Sequence, residues 1–323
     1  MTTAGEEPRI RVGISSCLLG NAVRYDGGHK RDDFAADLLA RFVRFVPVCP
    51  EVEVGMGTPR PSIRLVKVGS EVRLLEPREG TDHTAAMRRW SEARLRALEE
   101  EELCGFILKK DSPSCGMERV KVWPGRPGVP AARTGTGLFA EALRARWPEL
   151  PVEEEGRLHD LGLRESFVER VFAYRRLRDL LAGRLATGDL VRFHTAEKYL
   201  LLAHDPEGYR ALGRMVAGAK ALPRTRLRAE YPARFMAALA RPATRGKNAN
   251  VLTHMAGFVK RDLDEGDRRE LHAAIADYRR GLLPLVVPIT LVRHHVRRLG
   301  VAWLAGQTYL EPHPRELMLR NHP

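Results

Sequence analysis

The sequence predicts an α/β domain built on a doubly wound, mostly parallel sheet, followed by an all-α helical domain. In the first half of the chain, short apolar runs alternate with segments of helical spacing, and this alternation is typical of a parallel sheet covered by helices. Beyond residue 155 the strand patterns end, and helix-length segments separated by glycine and proline follow. We therefore predict domains at residues 1–155 and 156–323.

Apolar periodicity predicts the elements of the first domain. Buried parallel strands are short apolar runs, whereas amphipathic helices repeat apolar residues every three or four positions. Gly69 and Ser70 interrupt a segment that alternates apolar with polar residues, which predicts a hairpin. In chain order, the predicted elements are a strand over 9–15, a helix over 31–42, a strand over 43–48, a hairpin over 62–75, a helix over 81–103, a strand over 105–109, a helix over 136–146 and a strand over 150–152.

The second domain shows helical spacing without strand patterns. Glycine and proline separate its segments, and both residues are typical of helix ends. The predicted helices cover residues 165–181, 189–203, 206–215, 232–239, 248–260, 264–280 and 291–299.

Charge is distributed unevenly between the two halves. Residues 1–157 carry 25 Lys+Arg against 24 Asp+Glu, whereas residues 158–323 carry 29 against 17. A basic domain joined to a neutral one indicates a polyanionic partner, and without an amphipathic anchor or lipidation signal we expect nucleic acid rather than a membrane. The N-terminal residues lack the order of a secretory signal, and the longest apolar run, 282–292, is too short to span a bilayer. With only four cysteines, we expect a cytoplasmic protein with reduced thiols.

Three cysteines follow predicted strands. Cys17, Cys49 and Cys115 each lie in a short loop with glycine, proline or serine nearby. Because the carboxyl ends of parallel strands meet in one crevice, we expect these thiols to lie close together. Thiolates favour iron–sulfur clusters, zinc and copper(I), although the spacing matches no compact ferredoxin or zinc-finger pattern and buried apolar cysteines are the alternative. Cys104 precedes a strand, so we expect it in the core at the opposite end.

Longer motifs carry a family resemblance. The strings SSCLLGNAVRYDGGHK, VCPEVEVGMGTPRPSIRL and FILKKDSPSCG resemble the signature blocks of the thiouracil desulfidase (TudS-like) family over roughly residues 9–155. YLLLAHDPEGYRALG, RGKNANVLTHMAGFVK and QTYLEPHPREL resemble the YbgA-like domain often fused behind that module. Fused proteins of this type are associated with removing sulfur from 4-thiouridine in tRNA.

The resemblance implies a [4Fe–4S] cluster held by Cys17, Cys49 and Cys115, with one iron not ligated by protein. That iron would take the sulfur of a C=S group, and water would supply the carbonyl oxygen without net redox change, giving uridine and hydrogen sulfide. Free thiouracil or thionucleosides are the alternative substrates. A non-catalytic nucleic-acid-binding protein with a structural zinc is the alternative of another class.

Carboxylate and hydroxyl groups near the cysteines are the catalytic candidates. Glu51 is the expected acid/base and Ser112 the residue that positions substrate or water, with Glu53 as a weaker candidate. The competing interpretation is that Glu51 only pairs with Arg60. The further candidates for substrate binding, which solvated loops would also explain, are Ser114, Asn21, Arg24 and Asp26.

Basic residues of the second domain are the candidates for tRNA contact. Arg293 and Arg297 share one helical face, and phosphate contact would read backbone and shape because no RNA-recognition or KH motif is present. A solubilising surface is the alternative. The predicted tRNA-binding residues are Arg293, Arg297, Arg298, Arg245 and Lys247. Histidines of this domain lack metal-ligand spacing, so we expect them in the core or in solvent.

Overall fold

The computed structural model describes residues 10–126 and 128–322. The start of the predicted first strand, residue 9, and the N-terminal segment before it lie outside the described residues. The chain divides into two compact units, residues 1–160 and 161–323. This division falls after the predicted boundary at 155, because a 3₁₀ turn over Arg157–His159 continues the first unit, where His159 Nε2 lies 3.1 Å from Asp32 Oδ2.

The described residues of the first unit form eight strands and two α-helices. In chain order these are β1 (Ile10–Ser15), β2 (Val43–Val48), β3 (Arg64–Val68), β4 (Glu71–Leu75), α1 (Thr84–Glu99), β5 (Phe106–Leu108), β6 (Val120–Pro124), β7 (Ala132–Gly135), α2 (Leu138–Arg146) and β8 (Val152–Glu154).

The central sheet has the order β2-β1-β5-β8, and each pair in it is parallel. This confirms the predicted α/β class. Gly13 of β1 is required by packing, because a Cβ there would lie 2.2 Å from the Phe106 ring. The ring of Phe106 is fully buried and packs edge-on against Phe139 of α2 at 5.7 Å between centroids. Helix and sheet therefore share one apolar core.

A second sheet has the order β4-β3-β6-β7 and mixes parallel with antiparallel pairs. Its hairpin β3–β4 was predicted, and Gly69 adopts the positive φ of +63° that the turn requires. Strands β6 and β7 were not predicted. The four residues of β7 are all partly or fully exposed, so no apolar alternation marks them.

The predicted helix over 31–42 is wrong as a regular α-helix. The structure has one wide π-helical turn, Phe34–Leu38, followed by a 3₁₀ turn, Leu39–Arg41. Asp32 Oδ1 accepts a hydrogen bond from the Ala35 backbone N–H at 2.9 Å, and β2 begins at Val43, so the space allows only short turns. Apolar spacing identified the buried side but not the helix type.

The described residues of the second unit are helical, which confirms the predicted all-α region. Its α-helices are α3 (Leu161–Ala182), α4 (Thr187–Ala196), α5 (Lys198–His204), α6 (Pro206–Ala217), α7 (Arg224–Leu239), α8 (Arg245–Val259), α9 (Glu265–Arg280), α10 (Val286–Arg298) and α11 (Ala302–Ala305). Their core includes the fully buried rings of Tyr199, Tyr231, Phe235 and Tyr309. None of the helices within residues 10–126 and 128–322 is both long and apolar enough to cross a bilayer.

Two helix predictions in this unit need correction. The helix predicted over 189–203 is two helices, which meet at Glu197, a side chain that is 1 % exposed and accepts hydrogen bonds from Arg176. The helix predicted to begin at Pro232 instead begins at Arg224 and contains that proline. Proline is unfavourable inside a helix, but here it is buried and packing overrides the local preference.

Candidate active site at the carboxyl ends of the parallel strands

A cavity of about 380 Å³ lies where β1, β2 and β5 end. All three strand-end cysteines line it, although they are almost a hundred residues apart in sequence. Cys17 lies in a 3₁₀ turn after β1, and Cys49 directly follows β2. Cys115 lies in the loop after β5. The parallel sheet therefore brings the three thiols to one place, as the sequence predicted for such an edge.

Cys104 lies elsewhere. It is 1 % exposed, does not line the cavity, and precedes β5 at the opposite end of the strand. Its backbone N–H donates to the carbonyl of Arg11 at 2.8 Å. This placement matches a packed core residue.

The three thiols lie where their ionised forms would need a nearby positive charge. Burial raises the pKa of Cys17 to about 11, while Lys109 opposes that shift. Burial also raises the pKa values of Cys49 and Cys115. The pKa of Cys115 is raised further by Glu51 and the other two cysteines and lowered by a hydrogen bond from Ser15. Without a cation the thiols stay protonated, and a bound metal or cluster would stabilise all three as thiolates.

The spacing of the sulfur atoms distinguishes between cofactors. A tetrahedral zinc ion, with Zn–S bonds of about 2.3 Å, holds its sulfurs about 3.8 Å apart. In the part of the chain that the structure describes, the three cysteine sulfurs do not all lie within 4.8 Å of one another. In a cubane cluster each thiolate binds a different iron, so the sulfurs lie farther apart. At least one pair of these sulfurs therefore lies farther apart than one zinc ion would hold it, and three thiolates are a donor set that suits an iron–sulfur cluster.

Glu51 lies beside the cysteines on the wall of the cavity. Ser114 Oγ donates to its Oε1 at 3.1 Å, and the Ser112 hydroxyl lies 3.5 Å from the same oxygen. Its Oε2 accepts from Arg60, including a contact at 3.2 Å from Nε. One carboxylate oxygen is thus held by a guanidinium, and the other is held by serines of the loop that carries Cys115.

The contacts of Arg60 bear on whether Glu51 is catalytic or only forms an ion pair. Its side chain is 3 % exposed, and its Nη1 donates to the carbonyls of Val23 at 3.0 Å and Gly57 at 2.9 Å. The predicted competing partner of Glu51 is therefore present, but it also lines the cavity. A buried guanidinium with this many fixed acceptors orients the carboxylate rather than merely neutralising it.

Ser112 and Ser114 hold the cysteine loop as well as Glu51. Ser112 Oγ accepts hydrogen bonds from the backbone N–H groups of Ser114 at 3.2 Å and Cys115 at 3.0 Å. Ser112 lines the cavity. Ser114 is fully buried and contacts Glu51 rather than the cavity, so its position is that of a support for the carboxylate.

The remaining sequence candidates differ in position. Arg24 lines the cavity, and its guanidinium lies 5.5 Å from the exposed Tyr25 ring. Asn21 donates to Ser16 Oγ at 2.7 Å and Asp26 accepts from the Gly28 N–H at 3.1 Å. Neither of these two lines the cavity, so they shape the loop around Arg24.

Glu53, the weaker acid/base candidate, does not line the cavity. Its Oε1 accepts from the Cys49 backbone N–H at 2.9 Å, and its Oε2 pairs with Arg94 Nε at 2.9 Å. Both oxygens are therefore engaged in holding the Cys49 loop. The spacing from Cys49 could not distinguish Glu51 from Glu53, because the turn after Pro50 points the two carboxylates in different directions.

Two further residues near the cysteines were not identified from the sequence. Ser15 Oγ accepts from the Lys109 backbone N–H at 2.9 Å and hydrogen-bonds Cys115. Lys109 lines the cavity, and its ammonium pairs with Glu155. Their positions in the sequence could have indicated them, because Ser15 is the last residue of β1 and Lys109 directly follows β5, and a cysteine loop follows each strand.

The basic residues of the second unit are mostly engaged internally. Arg293 pairs with Glu311 at 3.0 Å, and Arg298 pairs with Asp267. Lys247 Nζ donates to the carbonyls of His204 at 2.7 Å and Pro242 at 3.3 Å. Arg297 is exposed. Arg245 begins α8, whereas Arg293, Arg297 and Arg298 belong to α10.

The second unit has both buried and exposed histidines, and the buried His194 and His204 have structural partners. His194 is stacked on Tyr209 at 5.2 Å, and burial lowers its pKa to about 4. His204 lies between the Arg241 carbonyl at 2.7 Å and Glu169 at 3.1 Å. Among the described residues, Glu165, Glu169 and His313 form the group with the spacing of metal ligands, but Arg320 binds both carboxylates and already supplies a cation to them.

Comparison with known proteins adds the family context. A family model described as 2-thiouracil desulfurase matches residues 12–155, and a family described as DUF1722, of unknown function, matches residues 198–314. An uncharacterized protein YbgA of Escherichia coli (strain K12) is 34% identical over 158 residues, which are 49% of this chain and 94% of that protein. An uncharacterized protein YbbK of Bacillus subtilis (strain 168) is 31% identical over 108 residues, or 32% of this chain and 71% of that protein. A solved structure of a [4Fe-4S]-dependent thiouracil desulfidase, TudS, is 32% identical with a TM-score of 0.40, covering 50% of this chain and all of that one.

Proposed function

The chain belongs to the YbgA family and carries a 2-thiouracil desulfurase domain ahead of its DUF1722 region, and from this premise we propose that it is a [4Fe–4S]-dependent desulfidase. In this proposal, it removes sulfur from 4-thiouridine in cytoplasmic tRNA and gives uridine and hydrogen sulfide. The observation that carries the proposal is the convergence of Cys17, Cys49, Cys115 and Glu51 on one cavity.

The three cysteines would hold the cluster, which when bound supplies a thiophilic iron, not ligated by protein, for the sulfur of the C=S group. The number of ligands supports this role, because a catalytic metal centre keeps a position open for substrate. The overall reaction adds one water to C=S and gives C=O and hydrogen sulfide, so it balances without an oxidant or reductant. The protein must therefore supply positioning and proton transfer.

Glu51 is the proposed acid/base. Its Oε1 faces the serine loop and its Oε2 is fixed by Arg60. In this arrangement the carboxylate would take a proton from the attacking water and return it to the departing sulfur. Ser112, which lies between Glu51 and the Cys115 N–H, would position the water or the base. Arg24 and the Tyr25 ring beside it would contact the pyrimidine at the edge of the cavity.

The charge of the second unit supports tRNA as the substrate. Residues 158–323 carry 29 Lys+Arg against 17 Asp+Glu, and phosphate neutralisation supplies most of the affinity in non-specific nucleic-acid binding. Arg297 and Arg245 are the proposed phosphate contacts among the predicted residues. Arg293, Arg298 and Lys247 would contribute through the overall field, because they already bind internal acceptors.

Free thiouracil or a thionucleoside is the second candidate substrate. The name of the family model favours it, and a cavity of about 380 Å³ is in the range of small-molecule sites. A non-catalytic protein with a structural zinc is less consistent with three sulfurs that do not all lie within 4.8 Å of one another, because one zinc ion holds its sulfurs about 3.8 Å apart.

A competition between substrates tests the proposal. Anaerobically reconstituted protein is incubated with tRNA that contains 4-thiouridine, with 4-thiouridine alone and with 2-thiouracil, and hydrogen sulfide and the digested nucleosides are quantified. The proposal expects the highest kcat/KM on tRNA. A higher kcat/KM on 2-thiouracil would favour the second candidate, and stoichiometric zinc without activity would favour the third.

A further inference from the structure

Two large aromatic side chains lie side by side on the surface of the second unit. Phe258, near the end of α8, is 50% exposed, and Trp303, in α11, is 41% exposed. Their rings form an edge-to-face pair, with centroids 4.7 Å apart and planes at 83°. Large aromatic rings are usually buried in a core, and adjacent exposed ones mark interaction sites.

The pair rests on a fixed base. Below Trp303 lies the ring of Tyr199, at 6.3 Å between centroids, and Tyr199 is 1% exposed. The Lys198 ammonium lies 5.1 Å from the Tyr199 ring and 5.9 Å from the Trp303 ring. The aromatic pair is therefore backed by the core and has a cation beside it.

One cation lies directly beside the rings, within a unit of net positive charge. The Lys198 ammonium contacts the Trp303 ring, and residues 158–323 carry 29 Lys+Arg against 17 Asp+Glu. The chain just after Phe258 has mixed charge, with exposed Lys260 and Arg261 followed by exposed Asp262, Asp264 and Glu265, so the local cation of the pair is Lys198. Exposed rings beside a cation are the surface that single-stranded nucleic acids use, since bases stack on the rings and phosphates pair with the cation.

We infer that Phe258 and Trp303 form a stacking platform for an unpaired base of the RNA substrate, with Lys198 on the adjacent phosphate or on the base face. The inference deepens the proposed function, because the RNA is the tRNA of that proposal. It adds a base contact that electrostatic attraction alone does not supply, and unpaired loop bases are the part of a folded RNA that proteins can stack upon.

The test separates stacking from burial and from charge. The double variant Phe258→Leu with Trp303→Leu keeps apolar volume and removes the π-faces, whereas Phe258→Tyr with Trp303→Phe keeps them. Leu282→Ala is the matched control, because Leu282 is the most exposed large apolar residue of this unit, at 66%, and is not aromatic. Binding of an unmodified tRNA transcript and of oligouridylate is measured at several salt concentrations.

The leucine variant is expected to weaken binding by about tenfold or more, as for a lost base stack, with an unchanged salt slope because no charge is removed. The aromatic variant and Leu282→Ala should bind like the wild type. RNA should also quench the fluorescence of Trp303, and that change should be absent when Trp303 is leucine. Turnover of free 4-thiouridine should stay unchanged in every variant.

The outcomes separate the platform from the proposed function. Equal tRNA binding by the leucine variant and the wild type would overturn the platform and leave the desulfidase intact. A wild type that binds oligouridylate through the platform but leaves 4-thiouridine in tRNA untouched would support the platform and refute the tRNA reaction. Dissociation of a dimer in the leucine variant, with unchanged RNA binding, would assign the surface to a second copy of the chain and overturn the inference.

Discussion

Both units hold charged groups away from solvent, but the two sets differ in their surroundings. In the first unit, the buried Arg60 binds the partly buried Glu51, and both residues line the strand-end cavity. In the second unit, the buried Arg320 binds Glu165 and Glu169 within the helical unit. A charged pair removed from water has to be fixed in one geometry to offset its desolvation, and the first pair is fixed beside a cavity that can take a small molecule. The second unit differs in its net charge instead, with 29 Lys+Arg against 17 Asp+Glu over residues 158–323, and net charge acts through its long-range field. This difference supports the proposal that the first unit carries the chemistry and the second attracts a polyanion.

The largest expected effect comes from removing a thiol of the cavity. Anaerobically purified wild type is expected to be brown, with about four irons and four sulfides per chain. Cys17→Ser, Cys49→Ser and Cys115→Ser should each lose most of that iron and all measurable desulfurase activity, because each removes one of the three proposed ligands.

Cys104→Ser is the matched control for these variants. Cys104 is buried but lies away from the cavity, so its replacement should keep iron, sulfide and activity. Loss of the cluster in Cys104→Ser at unchanged folding, or zinc in place of iron in the wild type, would contradict the assigned ligand set.

Replacement of Glu51, which contacts the Cys115 loop but is not a proposed cluster ligand, is expected to lower activity less than loss of a cysteine. Glu51→Ala should keep the iron content and lower kcat by roughly a hundredfold or more, which is the usual scale for a lost acid/base. Glu53→Ala offers the contrast, since Glu53 binds the Cys49 N–H and Arg94. It should weaken cluster retention more than it lowers the turnover of intact, iron-loaded protein. A Glu51→Ala protein with full turnover would move proton transfer to water alone.

These contrasts also mark what the sequence could predict. Cys17, Cys49 and Cys115 were identifiable because each follows an apolar run, and the parallel order of those strands brings their ends together. The Gly69 hairpin was identifiable because alternation and a turn residue coincide. Both patterns involve residues that are close in sequence, and each pattern is compatible with only one local structure.

Other features depend on contacts that no local pattern records. Glu51 and Glu53 have different partners although they are only two residues apart, because Glu51 binds Arg60 and Ser114 while Glu53 binds the Cys49 N–H and Arg94. The exposed strand β7 has no apolar alternation, and Pro232 lies inside a helix because its surroundings are buried. The internal pairing of Arg293, Arg298 and Lys247 depends on acceptors that are distant in sequence or in neighbouring helices. Tertiary packing decided each of these.

Removing the basic unit should lower activity on tRNA selectively. Protein ending at Asp160 retains the cavity residues, so once iron-loaded it should convert free 4-thiouridine about as fast as the full chain. Its kcat/KM on tRNA should fall by roughly tenfold or more at low salt, because phosphate neutralisation is lost, and the difference should shrink as salt rises. Equal rates of the two proteins on tRNA would break the comparison between the units and favour a free nucleobase as substrate.

The smallest expected effect concerns single charges of α10, where two arginines one helical turn apart have different surroundings. Arg297 is exposed, whereas Arg293 is paired with Glu311 at 3.0 Å. Arg297→Glu should weaken tRNA binding by a few-fold and reduce the salt slope by about one or two. Arg293→Ala should change binding less, because the lost charge was already partly compensated by Glu311, and Glu311→Ala should strengthen binding slightly by releasing Arg293. If Arg293→Ala weakens binding more than Arg297→Glu, the ion pair opens in the complex and Arg293 itself contacts the phosphate.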